Sequence, residues 1–343
     1  MLDLVRLAPF NAETPVAALV HAITPTSQTY VRSNFAVPTL AGESHRVAIT
    51  GAVQRELEIS VGELRSTPEW CTDIPVTMEC AGNSRLHMCP LPRGELWSNG
   101  AVGTSRWTGV PLRRLLERAA IDPQAIEVLV EGADAGAVAN GTTVGFARSL
   151  PVVEAMRDDV LLAFDVNGEP ISAAHGAPLR LVVPGWYGMA SVKWVTRISA
   201  LTQPFQGYFQ SQRYIYEEQG RPTTPVTRIR VKSIFTSPID GATIGCGRME
   251  VAGWAWSGSG RIIRVEIALD GGGWRDAELL EPHSDHAWVR WIFRCEPDQP
   301  GRHVLRSRAT DAAGHSQPDA ISWNSLGYGN NAVRPVVFTV AER

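Results

Sequence analysis

Apolar positions in the first 220 residues alternate between two periods. "RVAITGAV" (46–53), "DIPVTME" (73–79), "AIEVLVEG" (125–132), "PLRLVVPG" (178–185) and "VKWVTRISAL" (192–201) are short β-branched runs and predict strands. "VPLRRLLERA" (110–119) instead spaces Leu112, Leu115, Leu116 and Ala119 at i, i+3, i+4 and i+7, one face of an amphipathic helix. "SVGEL" (60–64) has Ser-x-x-Glu spacing, a capping box that starts a short helix at Ser60. Ser149 is expected to cap another short helix in "SLPVVEAMR" (149–157). Asn167-Gly168 inside "VLLAFDVNGEPI" (160–171) predicts a tight hairpin. Strands and helices do not alternate strictly, so the fold class is α+β rather than a doubly wound α/β sheet.

The texture then changes. "EEQGRPTTPVTRIR" (217–230) lacks a long apolar run and reads as a linker, dividing the chain into 1–220 and 221–343. Beyond it, "RIIRVEIALDGGGW" (261–274) alternates Val265, Ile267 and Leu269 before a turn at Asp270-Gly271. "AWVRWIFRCE" (287–296), "GRHVLRSRATD" (301–311) and "RPVVFTVAE" (334–342) are further strands. Closely spaced strands without a helix predict a β-sandwich, a module suited to binding or dimerisation. Trp254, Trp256 and Trp274 fit either its core or an interface, with the core as the default assignment.

Length and charge narrow the field. The 343 residues are 44% hydrophobic and 20% charged, a globular balance. A net charge of −3 gives no electrostatic case for a nucleic-acid partner. No run is long enough for a membrane span. The first twenty residues lack the basic-then-apolar order of a secretory signal, so the chain reads as cytoplasmic; with a leader already removed it would be periplasmic. Five cysteines without a C-x-x-C argue against both a disulfide framework and a common zinc site. Cys89 is assigned a structural role.

The chemistry concentrates in "VTMECAGNSRLHMCP" (76–90), where an apolar strand delivers Cys80 into a polar loop. A thiolate suits a thiophilic metal. With no His or Cys at ligand spacing, Cys80 would share that metal with a non-protein cofactor. Arginine, asparagine, histidine and lysine would hold the cofactor's anionic part.

"CAGNSR" (80–85) resembles the cysteine motif of the sulfite oxidase family of molybdenum enzymes. "YVRSNFAVP" (30–38), "GAVGTSRWTGVPLRRLL" (100–116), "HGAPLRLVVPGWYGMASVKWVTRI" (175–198), "GYFQSQRY" (207–214) and "WNSLGYGNNAV" (323–333) resemble its further motifs in the same order. The resemblance implies a molybdopterin-binding domain followed by an immunoglobulin-like dimerisation sandwich. It also implies molybdenum held by one pterin dithiolene and by Cys80. Arg32, Arg85, Trp97 and Tyr214 match substrate-pocket residues, with Arg32 and Arg85 forming an anion trap over the metal. Arg32, Asn34, His175, Arg180, Ser191 and Lys193 match pterin-holding residues.

Three positions depart from the family pattern. Ser84 replaces the first of two arginines, Asn34 replaces a histidine, and His286 in "DHAWVRW" (285–291) falls where an arginine would enter the pocket. The resemblance implies oxygen-atom transfer, leading from sulfite to sulfate. With no haem or flavin module in the chain, electrons would pass to an external acceptor such as a cytochrome c. The same site run in reverse would reduce nitrate or a sulfoxide. A non-catalytic binding protein without metal is the reading from outside enzymology.

Overall fold

A computed structural model describes residues 1–217, 220, 222–280, 284–297 and 299–342. Two five-stranded sheets carry the N-terminal part. One runs Glu169–Pro170, Leu161–Val166, Val102–Pro111, Thr72–Glu79, with Arg180–Val182 also pairing to Leu161–Val166. The other runs Leu57–Ser60, Arg46–Gly51, Val195–Leu201, Glu127–Ala137, Thr143–Pro151. It is mixed: Val195–Leu201 lies parallel to Arg46–Gly51 and antiparallel to Glu127–Ala137.

The periodicities translate directly into packing. Leu112, Leu115, Leu116 and Ala119 are all fully buried on the helix Leu112–Ala119, against Val47, Ile49 and Val110 in one core. Each buried leucine stabilises by about 1.5–3 kcal/mol. The capping box at Ser60 forms in both directions, starting Val61–Arg65. Asn167 and Gly168 both take positive φ, 53° and 80°, and close the hairpin between Leu161–Val166 and Glu169–Pro170. Ser149 does not cap a helix. It lies buried in the strand Thr143–Pro151, and the short helix Val152–Ala155 begins after Pro151, whose ring fixes φ instead.

From Lys232 onward two antiparallel-dominated sheets face each other. Lys232–Ser237, Met249–Trp256, Val289–Cys295 and Glu278–Leu279 form the first. Thr243–Ile244, Val336–Val340, Gly301–Asp311, Ile262–Leu269 and Arg275–Asp276 form the second. Val251, Val265, Ile267, Trp291, Leu305 and Phe338 fill the space between them. Trp254 and Trp256 are buried, but on the outer face of the first sheet, in the core shared with the N-terminal part. The hydrophobic contact between the two parts therefore recruits these two aromatic residues, and the interface alternative holds for them rather than the sandwich core. Trp274 is only half-buried, beneath Arg306 and Arg308.

The 217–230 stretch falls partly outside the described residues, and its remainder is not a loose linker. Thr224–Pro225 pairs with Ile215–Tyr216, and Val226 and Ile229 are buried. Buried Arg148 donates to the Val226 carbonyl at 3.2 Å.

Candidate active site

The strand Thr72–Glu79 ends at a cavity. Cys80 lines it, anchored by its backbone N–H on the Ala101 carbonyl at 2.9 Å. Cys80 is 7% exposed. Burial pushes the thiol pKa up, while Arg32, the Gly82 N–H and Arg85 pull it toward the thiolate. A thiol in that position is costly to ionise alone and well placed to ionise onto a metal.

Arg32, Asn34, Cys80, His175, Arg180, Ser191, Lys193 and Tyr214 all line this cavity. Arg180 comes from the strand Arg180–Val182 and His175 from the turn Ala173–His175; the others lie on loops. Arg32 donates to Asn34 Oδ1 at 2.7 Å, and Asn34 Nδ2 donates to the Tyr214 hydroxyl at 3.2 Å. His175 Nε2 lies 3.3 Å from the Tyr30 carbonyl and Nδ1 2.9 Å from Ser172 Oγ. Ser191 Oγ accepts the Val183 N–H at 3.1 Å. Lys193 donates to Ser33 Oγ at 2.8 Å and the Ala174 carbonyl at 2.9 Å. Arg180 donates to the His175 carbonyl at 3.0 Å and stacks over Trp107.

Arg85 and Trp97 sit beside the cavity rather than on its wall. Trp97 is fully buried against Tyr30, Cys80 and Ala101. The Arg85 guanidinium folds back onto its own loop. Nη1 donates to the Glu95 carbonyl at 2.7 Å and Nε to the Leu326 carbonyl at 3.1 Å, with the Tyr328 ring below. Gly82 permits this because a Cβ there would stand 2.6 Å from the guanidinium carbon; a Cβ on Gly327, at φ +65°, would stand 2.8 Å from Nε. His286 is also elsewhere. Its Nε2 is 2.9 Å from Asp159 Oδ2, and its carbonyl accepts the Thr77 N–H at 2.7 Å. The segment carrying it pairs with the outside of the strand Thr72–Glu79, so its side chain never faces the cavity. Cys89 is an exposed free thiol, not a core residue.

Two groups on the wall escaped the sequence reading. Asp134 is 4% exposed, and burial raises its pKa to about 6 despite Lys193. Trp107 stacks under Arg180. Asp134 sits in the long strand Glu127–Ala137, buried between half-buried and exposed neighbours, and a lone carboxylate in the small-residue stretch "GADAGA" is the signal that could have flagged it.

The charge balance decides what the cavity can hold. Arg32, Arg180 and Lys193 face one carboxylate, Asp134. Burial, then Arg180, pushes Lys193 well below the ordinary lysine range. Burial, then Arg180 and Lys193, pushes His175 down to about 4. Asp134 Oδ1, Arg180 Nε and Trp107 Nε1 are buried without a partner in the protein. Each of these features is relieved by a polyanion with hydrogen-bonding edges. The donor set thus fits a phosphate-bearing pterin, with Cys80 as the protein's metal ligand. Among the described residues no cluster of His, Cys, Asp and Glu could hold a metal unaided.

Comparison with known proteins agrees. Residues 34–209 match the family model of the oxidoreductase molybdopterin binding domain, and residues 223–340 that of the Mo-co oxidoreductase dimerisation domain. Mitochondrial sulfite oxidase of Homo sapiens is 34% identical over 352 residues, covering 94% of this chain and 63% of that protein. Sulfite oxidase of Gallus gallus is 32% identical over 345 residues, covering 93% and 74%. Nitrate reductase [NADH] 2 of Phaseolus vulgaris is 31% identical over 367 residues, covering 96% and 41%. The crystal structure of the sulfane dehydrogenase SoxCD from Paracoccus pantotrophus superposes with a TM-score of 0.86 at 30% identity, covering 98% of this chain and 88% of that one. The chain belongs to the sulfite oxidase family of molybdopterin-dependent oxidoreductases. It spans less than two thirds of the human relative's length.

Proposed function

We propose that this protein oxidises sulfite to sulfate by oxygen-atom transfer and passes the electrons to an external one-electron acceptor such as a cytochrome c. The observation that carries the reading is a buried thiol at the mouth of a strand, set in a cavity whose cations outnumber its carboxylates. Molybdenum bound with its pterin supplies the two-electron oxygen-atom chemistry. His175, Arg180, Ser191 and Lys193 hold the pterin and its phosphate, and Cys80 anchors the metal. Arg32 draws in the substrate anion through charge-assisted hydrogen bonds. Asn34 fixes the Tyr214 hydroxyl, which orients a substrate oxygen.

Arg85 commits its guanidinium to two backbone carbonyls, so of the two trap arginines only Arg32 lines the cavity. That favours, as a second reading, a sulfur substrate with less exposed negative charge. SoxCD is described as acting on sulfane sulfur, and the same substrate class fits here. The reductase reading gains nothing from His286, which pairs with Asp159 away from the cavity. Initial rates on sulfite and on a sulfane-sulfur compound with ferricyanide, against nitrate or methionine sulfoxide with a reduced dye, separate the three. Turnover of nitrate alone overturns the proposal. The sandwich is proposed to join two copies into a homodimer, with the domain boundary at 220/221.

A further inference from the structure

A further buried cation stands behind Cys80, and it comes from the sandwich. Glu79, directly before Cys80, is 2% exposed. Its Oε1 accepts from Lys232 Nζ at 3.0 Å and from Asn83 Nδ2 at 3.0 Å, and its Oε2 accepts from Trp256 Nε1 at 2.9 Å. Lys232 and Trp256 are register partners on neighbouring strands, so both side chains leave the sandwich on one face. Lys232, 3% exposed, gives its other protons to Ser84 Oγ at 2.7 Å and the Asn330 carbonyl at 3.0 Å. All three ammonium donors are thereby used. Asn330 Nδ2 closes the ring on the Ser84 carbonyl at 2.9 Å.

Ser84 is held at φ +68°, a left-handed conformation a serine rarely adopts. It ends the turn that starts at Cys80, and Arg85 follows it. One ammonium therefore grips the chain immediately before the thiol and again at the end of the turn. A buried ion pair is weak evidence for stability, because desolvation offsets the attraction. Its use here is geometric: the bonds to Ser84 and Asn330 do nothing to neutralise Glu79, but they fix where the loop lies.

We propose that Lys232 is a positioning residue for the metal-binding loop: it clamps Glu79 and Ser84 on either side of the thiol and so holds the Cys80 sulfur in place for the metal. This rests on Cys80 being the metal ligand. Ser84 Oγ touches Lys232 Nζ, so a lysine at position 84 would enter the space that Lys232→Ala vacates and return the charge to Glu79 from within the loop.

The test uses the full-length holoenzyme. Molybdenum per chain is followed by elemental analysis during dialysis, Cys80 alkylation by peptide mass spectrometry, and Tm in parallel. Lys232→Met leaves Glu79 buried and unpaired and lowers Tm. The double variant Glu79→Gln/Lys232→Met removes both charges and is expected to recover Tm. It should still lose molybdenum roughly 10-fold faster than the parent, as loss of an outer-shell partner does, with Cys80 alkylated correspondingly faster. Lys232→Ala/Ser84→Lys should recover Tm and hold molybdenum within about twofold of the parent. If the uncharged double variant keeps molybdenum and shields Cys80 as the parent does, Lys232 serves stability alone and the proposal is wrong. If its Tm stays low, the Ser84→Lys variant decides: Tm restored without molybdenum retention overturns the proposal. If the parent itself binds no molybdenum, the ligand reading of Cys80 fails, and the role of Lys232 fails with it.

Discussion

Two buried clusters of cations flank Cys80, and they differ in what answers their charge. On the cavity side, the described wall offers Arg32, Arg180 and Lys193 one carboxylate, Asp134, and Arg180 Nε has no partner. On the sandwich side, Lys232 pairs with Glu79 and fills every donor, while Arg85 is bonded to two carbonyls. Both clusters are out of water, so burial alone does not distinguish a binding site from a scaffold. The unmet hydrogen-bonding capacity does. A satisfied cation fixes geometry; an unsatisfied one selects a ligand.

The largest effect expected from breaking this contrast falls on the thiol between the clusters. Cys80→Ser should lower sulfite turnover by more than the roughly 100-fold that loss of an outer-shell partner costs a metal site, with the far-ultraviolet circular dichroism of the parent. Lys232→Met should come next, destabilising by about 3–5 kcal/mol in urea unfolding because it strands a buried carboxylate. A partly exposed carboxylate gives the third comparison. Burial raises Asp159, but hydrogen bonds from His286 and Arg157 outweigh it and hold the carboxyl at about 2, below its ordinary 3.8. Its contribution is therefore present above about pH 4 and lost as pH falls through about 2. The stability gap between the parent and Asp159→Asn should be about 2 kcal/mol at pH 7 and close over that acid window. Smallest of all should be Lys193→Met in cofactor-free protein. Removing a cation with no dedicated counter-ion should leave urea stability within about 1 kcal/mol of the parent, or raise it. A loss like that of Lys232→Met would erase the distinction between the clusters.

Local rules carried much of this fold. The helix face at Leu112–Ala119, the Ser60 box and the Asn167-Gly168 hairpin each depend on neighbours in sequence, and each appears where its pattern lies. The cysteine at a strand end and the basic residues that line its cavity were legible because motif order preserves them. What was not legible depends on distant contacts. Ser149 failed as a cap because pairing with Leu129 holds it in a strand. Trp254 and Trp256 face outward because the N-terminal part offers them an apolar surface. Lys232 reads locally as an ordinary strand lysine; its partner Glu79 lies 153 residues away. One clue was present: a glutamate in the buried run "VTMEC" calls for a counter-charge, though not for a particular one. The departure at Ser84 has the same resolution, since the charge missing from the loop arrives from the sandwich.

In the proposed function, Cys80 joins the protein to a molybdenum ion whose pterin fills the cationic cavity. Molybdenum-edge X-ray absorption on purified parent and Cys80→Ser protein tests it most directly. The account expects molybdenum in the parent and one sulfur neighbour fewer in the variant. Identical sulfur coordination in the two proteins would contradict it.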